Sequence, residues 1–206
     1  MSAPAILRLY HGTSTEGFEA ARERGFLAPR DYRALVAEIG AEYDLDPEAI
    51  WSHPWFDYVR GSRSRCHDVF LTDRYDNASY YANCLNESTR DALRTAHRML
   101  NQPLMAQVDL LPVVPGKALW AMHEQAFIDA WQARHAANRP LVLTFDLPLS
   151  ALPVPEHVRD RFPDAAVWWV AATHDGDYKL NEISFPDRFS LDTLVDVAVP
   201  AAELAA

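Results

Sequence analysis

The sequence predicts an α+β chain, on three observations. Residues 6–10 form a short alternating apolar run that reads as a strand. The middle of the chain carries apolar residues every three or four positions, the period of helices. Strand-like apolar runs return late, at 141–147, 166–172, 180–185 and 194–199. This order lacks the regular βαβ alternation of a doubly wound fold.

The first strand places Leu7, Leu9 and His11 on one face by the two-residue period. A helix follows, with Thr13 and Glu16 as a capping box, Phe18 and Ala21 facing inward and Gly25 as the stop. Phe26 and Leu27 pack back. A helix over 31–43 carries the stripe Tyr32, Leu35, Val36 and Ile39. Asp46 and Pro47 open another, as cap and first-turn residue. Trp51, Pro54, Trp55 and Phe56 crowd its end, where they form either a satellite core or a ligand wall.

Residues 61–67 are polar and basic, and read as a loop; 69–72 read as a short strand. Asn77 opens a helix with Ala78, Tyr81 and Ala82 on one side. A further helix spans 87–100, aligning Leu93, Ala96 and Leu100. Residues 104–111 read as a strand, broken by Pro112, Pro115 and Gly116. A long helix over 117–137 turns Leu119, Met122, Ala126, Phe127, Ala130 and Trp131 to the core. Alternation at 141–147 predicts a half-buried strand, and prolines at 148, 153 and 155 mark a loop. The wholly apolar run 166–172 predicts a central strand, 173–179 a turn-rich tip, and 180–185 and 194–199 the closing strands. There is no internal repeat or interdomain linker, so a single domain is expected, with helical insertions near 31–65 and 85–137.

Composition restricts function. The chain has 206 residues, 49% hydrophobic, enough to bury a core. Its net charge of −10 opposes backbone-driven binding to nucleic acid over a broad surface. Arg60, Arg63 and Arg65 form the densest basic run. With two cysteines, Cys66 and Cys84, and no CxxC, the chain has no disulfide framework. No basic-then-apolar leader and no membrane-length apolar run is present, so a cytoplasmic setting without membrane association is expected. Cys66, His67 and Cys84 fit no standard zinc spacing, and neither a Walker loop nor a GxGxxG occurs.

Three stretches carry candidate chemistry. Ile6–Ser14, ILRLYHGTS, delivers His11 into what reads as a glycine turn at Gly12. Residues 69–73, VFLTD, precede Asn77-Ala78-Ser79-Tyr80-Tyr81-Ala82. Residues 180–185, LNEISF, place Glu182 on the strand face opposite Ile183 and Phe185. A carboxylate on an otherwise apolar or small-residue strand calls for a reason. In order and character these stretches resemble the His, Tyr, Glu signature of the ADP-ribosyltransferase superfamily, on its diphtheria-toxin and PARP-like side.

The resemblance implies a split β-sandwich that holds NAD, as co-substrate and without metal, in a cleft between two small sheets. It implies cleavage of the nicotinamide–ribose bond through an oxocarbenium-like sugar, a cation of the kind that carboxylates stabilise in glycoside hydrolysis. Glu182 matches the family glutamate, which holds the ribose 2′-hydroxyl and sets negative charge near the developing cation. His11 matches the ribose-binding histidine. Gly12 matches the glycine whose N–H and C=O bind the nicotinamide carboxamide, and Thr13 adjoins it. Tyr80 and Tyr81 compete for the ring that stacks on nicotinamide. The string Asn77-Ala78-Ser79-Tyr80, similar to the Ser-Ala-Asn-Tyr of PARP-like enzymes, favours Tyr80. The pattern Ala-x-x-aromatic-Ala over 78–82 favours Tyr81. The other tyrosine is expected to pack in the core.

The acceptor implied is a macromolecule, protein or nucleic acid, with water as the alternative in a glycohydrolase and a catalytically inactive binding module as the third reading. A bacterial toxin or defence effector, with an antitoxin or regulator as partner, is the implied setting. The pattern departs from arginine-modifying relatives, which carry Glu or Gln where Leu180 stands, and it lacks their Ser-Thr-Ser strand. Residues 31–65 and 85–137 have no counterpart in the family pattern.

Overall fold

The computed structural model describes residues 6–56, 67–83, 87–154, 160 and 183–200. It is of the α+β class. The chain divides into two compact units, the second of which spans the two insertions expected near 31–65 and 85–137. The first comprises Met1–Pro29, His67–Cys84 and Arg139–Ala206; the second, Arg30–Cys66 and Leu85–Asn138. Of the sequence-derived features, Arg60, Arg63, Arg65, Cys66, Cys84, the runs 166–172 and 173–179, and Leu180, Asn181 and Glu182 lie outside the described residues.

In the first unit, strand β1 (Ile6–Ser14) extends four residues beyond the predicted 6–10. It pairs antiparallel along its whole length with β4 (Pro140–Pro148), His11 opposite Leu143 and Gly12 opposite Val142. Gly12 is therefore mid-strand, and the expected glycine turn is absent. Nine ladder partners on β4 keep the chain extended where a His-Gly-Thr string by itself suggests a turn. β4 is the middle strand of β1-β4-β7, with β7 being Leu194–Ala198. Consequently β4 is buried on both faces rather than half-buried. Leu143 and Phe145 enter the core on one side, and Val142 and Thr144 are covered on the other.

Helix α1 (Thr15–Arg24) is capped by Ser14, whose Oγ accepts from the Gly17 N–H at 3.3 Å, not by Thr13. The longer strand moves the cap one residue on. Gly25 ends the helix with φ 79°, a left-handed conformation that glycine adopts without steric cost. β2 (Phe26–Leu27) then pairs with β6 (Phe189–Ser190), and β3 (Asp68–Leu71) pairs with β5 (Ile183–Pro186). Leu9, Val69, Leu71, Leu143, Phe145, Ile183 and Phe189 meet in one core, with Leu7, Phe18 and Phe185 packed against it.

Helix α4 (Tyr75–Asn83), starting two residues before Asn77, packs on the other face of β1 and β4. The helices intervening in sequence belong to the second unit.

The regular elements among that unit's described residues are all helices. α2 (Tyr32–Tyr43) is capped by Asp31, and α3 (Pro47–Trp51) by Asp46 with Pro47 in its first turn. A 3-10 turn (Pro54–Phe56), α5 (Glu87–Leu100), α6 (Gln102–Val108) and α7 (Val113–Arg134) complete it. Phe56, Ile50, Val36, Ile39, Leu93, Ala96, Ile128 and Trp131 form its core, so Phe56 belongs to packing and not to a ligand wall. Leu100, expected to align with Leu93 and Ala96, is exposed.

Two expectations fail here. Residues 104–111, read as a strand, include helix α6, because Leu, Met, Ala and Gln behind Pro103 are helix formers whose short apolar run has no diagnostic period. α7 begins at Val113 rather than Lys117: Pro112 and Pro115 sit before and within its first turn, where a missing N–H costs little. Its buried side is Ile128 and Trp131, with Phe127 against the core, while Leu119, Met122, Ala126 and Ala130 are exposed. Apolar residues surround this helix, so periodicity alone did not select the face.

Candidate active site

Two of the three sheets described in the first unit, β1-β4-β7 and β3-β5, part at one point. Tyr10 and Thr72 exchange both backbone hydrogen bonds, at 2.7 and 2.9 Å, and form an isolated bridge between β1 and the end of β3. In an antiparallel ladder the next such pair lies two residues along, which is Gly12 with Phe70. That pair makes no backbone bond. Instead His11 reaches across: its Nδ1 lies 2.8 Å from the Phe70 carbonyl oxygen.

A carbonyl can only accept, so Nδ1 carries the proton and donates. Burial lowers the His11 pKa below its ordinary value, against the smaller opposing effect of the Phe70 carbonyl. The ring is thus neutral near pH 7, and Nε2 holds a lone pair. Its fixed tautomer makes His11 a positioned hydrogen-bond acceptor, unsuited to act as a cation.

Gly12 owes its identity to α4. A Cβ on Gly12 would stand 2.2 Å from the Ala78 carbonyl oxygen and 2.8 Å from the Ala82 nitrogen. The helix backbone therefore lies directly on the strand, and Ala78 and Ala82 are the small residues that permit it. The Ala-x-x-x-Ala spacing is a packing device between α4 and β1.

Among the described residues, the same glycine has unpaired peptide groups. A strand residue sends its N–H and C=O to the same side, and its neighbours send theirs to the other. Since Tyr10 bonds towards Thr72, Gly12 also directs its N–H and C=O away from β4, into the parting between the sheets. Neither group has a partner among the described residues. One donor and one acceptor on a single residue match the two edges of a primary carboxamide.

The tyrosines separate by helix angle. Residues advance about 100° each, so Tyr81 lies about 80° from the Ala78–Ala82 line that faces Gly12, and Tyr80 about 180° from it. Tyr81 flanks the strand, whereas Tyr80 points away. Both are half-exposed, at 49% and 53%, with ring centroids 5.7 Å apart. Neither is the core residue expected of one of them. Tyr75, on the same helix, packs edge-on against Tyr10.

Thr13 falls on the alternate register, with its peptide groups directed to Leu141. Its Oγ1 would lie 2.6 Å from a Cβ on Gly17, so it faces α1 and not the parting. Glu182 lies outside the described residues. Its chain neighbour Ile183 is buried and pairs with Leu71, the residue before Thr72. Ser184 donates a hydrogen bond to Asp68 on the adjoining strand. Phe70 had no signature in the sequence, because its contribution is a main-chain carbonyl brought to His11 across 59 residues.

Among the described residues, no group of three or more His, Cys, Asp or Glu is placed to hold a metal ion, and no helix is long and apolar enough to cross a membrane. No protein-family model, no curated protein and no solved structure matches the chain. The functional reading rests on these residues alone.

Gly12→Ala tests the close approach. The added methyl group must push α4 from β1, and overpacking of this kind costs about 1–3 kcal/mol. Urea unfolding followed by circular dichroism should show that loss. A variant as stable as the parent would mean that α4 does not rest on the Gly12 backbone.

Proposed function

We propose that the chain is an NAD-dependent ADP-ribosyltransferase of the split β-sandwich kind, which cleaves the nicotinamide–ribose bond and transfers ADP-ribose to a macromolecular acceptor. The observation that carries this reading is the peptide edge of Gly12, unpaired among the described residues, beside a neutral, oriented His11 where two small sheets part.

In this reading the Gly12 N–H donates to the nicotinamide carboxamide oxygen, and its C=O accepts from the carboxamide NH2. Tyr81, flanking the strand, stacks on the nicotinamide ring and takes precedence over Tyr80. The His11 Nε2 accepts a hydrogen bond from a ribose hydroxyl and orients the sugar. These contacts hold the ground state. The bond breaks when electrons leave C1′ with nicotinamide, and the ribose becomes cationic. Glu182 supplies the negative charge that favours this state, and its carboxylate accepts from the 2′-hydroxyl. What supports this role is its chain neighbour Ile183, which pairs with Leu71 beside the Tyr10–Thr72 bridge.

Glu182→Gln keeps volume and hydrogen-bonding reach but removes the charge. NAD affinity, measured by calorimetry, should remain close to that of the parent. Nicotinamide release should fall by about 100-fold or more, since only the cationic transition state loses its counter-charge. Unchanged turnover would exclude Glu182 from the chemistry. Transfer of label from NAD to a macromolecule, against release of free ADP-ribose, separates a transferase from a glycohydrolase.

The two tyrosines should also differ. Tyr81→Ala should raise the KM for NAD about tenfold, the loss of one stacking contact, while Tyr80→Ala leaves it near the parent value. Equal effects in steady-state kinetics would remove the helix-face assignment.

A further inference from the structure

Helices α5 and α7 of the second unit are joined by two imidazoles. His97 on α5 is fully buried, and its Nε2 lies 2.8 Å from Nδ1 of His123 on α7. Its ring packs against Trp120 at 4.6 Å and Phe127 at 5.3 Å. Its other nitrogen, Nδ1, is buried without a hydrogen-bond partner among the described residues.

This arrangement has room for one proton between the rings. In the neutral pair His97 donates from Nε2 to Nδ1 of His123, and the bare Nδ1 of His97 is left as an unused acceptor. One added proton on His123 makes its Nδ1 a donor. His97 must then accept at Nε2 and carry its own proton at Nδ1, where a buried N–H finds no partner. A second proton puts an N–H on both sides of the 2.8 Å contact, and the bond cannot survive.

The surrounding charges do not relieve this. Glu124, beside His123 on α7, favours the charged form of His97, but it already accepts from Arg94 at 3.0 Å, and Asp91 pairs with the same arginine. On α2, Arg33 pairs with Glu48 of α3, while Glu38 and Glu42 face Arg134 and His135. Helix α6 has no titratable residue. His53, ahead of the 3-10 turn, is influenced by Arg98. Toward His97 itself, these helices contribute an apolar core.

We propose that the His97–His123 pair is an acid-sensitive latch: neutral, it ties α5 to α7, and with both rings protonated it releases them. Desolvation and the neighbouring His123 both lower the His97 pKa, which agrees with this geometry. The sign follows. The unfolded chain takes up the proton near the ordinary value of about 6.5, and the folded chain only below it. The stabilisation is complete above that pH and is lost as pH falls through the lower folded value.

The test uses the full chain. Thermal unfolding, binding of an apolar dye and imidazole nitrogen shifts are recorded from pH 7.5 to 5. The parent should lose about 2–4 °C of midpoint over this range, with dye binding as the core of the second unit opens. His97→Phe fills the same aromatic surroundings without a proton site. His11 and His53, whose pKa values are also lowered, act equally in parent and variant, so the difference isolates the latch. The variant should have the shallower slope. An identical slope would overturn the proposal. If His97→Phe does not fold, the parent's ring nitrogens decide. Titration of His97 clearly below 6.5, together with loss of α5–α7 contacts, supports the latch. Titration near 6.5 with those contacts intact overturns it.

Discussion

The hydrogen bond from His11 to the Phe70 carbonyl is the constraint around which the first unit is arranged. It stands where a backbone ladder bond between β1 and β3 would otherwise form. Had Gly12 and Phe70 paired, the two small sheets would have continued as one, and Gly12 would have spent its peptide groups on structure. By substituting a side chain for a ladder bond, the chain satisfies Phe70 and, among the described residues, leaves Gly12 unpaired. An open strand edge invites pairing with another strand. Here the opening is short, bounded on one side by the Tyr10–Thr72 bridge, and one face of Gly12 is closed by α4.

Much of this was legible. The α+β order, the first strand, the Asp31 and Asp46 caps, the Gly25 stop and the helix over 87–100 follow from local chemistry that tertiary contacts do not override. Leu9 and Val36 entered their cores as their periods required. Other features were illegible for physical reasons. The turn expected at Gly12 was replaced by strand because pairing with β4 extends to Ser14, and a ladder across more than a hundred residues has no local signature. Helix α6 and the face of α7 were misread because an apolar stretch without period fits either a strand or any face of a helix.

The site shows the same division. His11 and Gly12 stood out as residue types in a pattern, yet what each does depends on partners that no motif contains, the Phe70 carbonyl and the α4 backbone. The choice between Tyr80 and Tyr81 could not be made from strings, since both fit a family pattern. It becomes a question of helix angle once Ala78 and Ala82 are seen to face Gly12. The second unit, whose residues have no counterpart in the family pattern, contributes a helical core and an acid-sensitive pair.

The most direct measurement is the amide resonance of Gly12 during titration with nicotinamide and with nicotinic acid. Both ligands have the same ring, but only the carboxamide can donate to the Gly12 carbonyl. The account predicts a saturable shift of the Gly12 amide with nicotinamide and little response to nicotinic acid. A Gly12 resonance that stays fixed under saturating nicotinamide, or that responds equally to the acid, would contradict the assignment of this strand edge as the nicotinamide site.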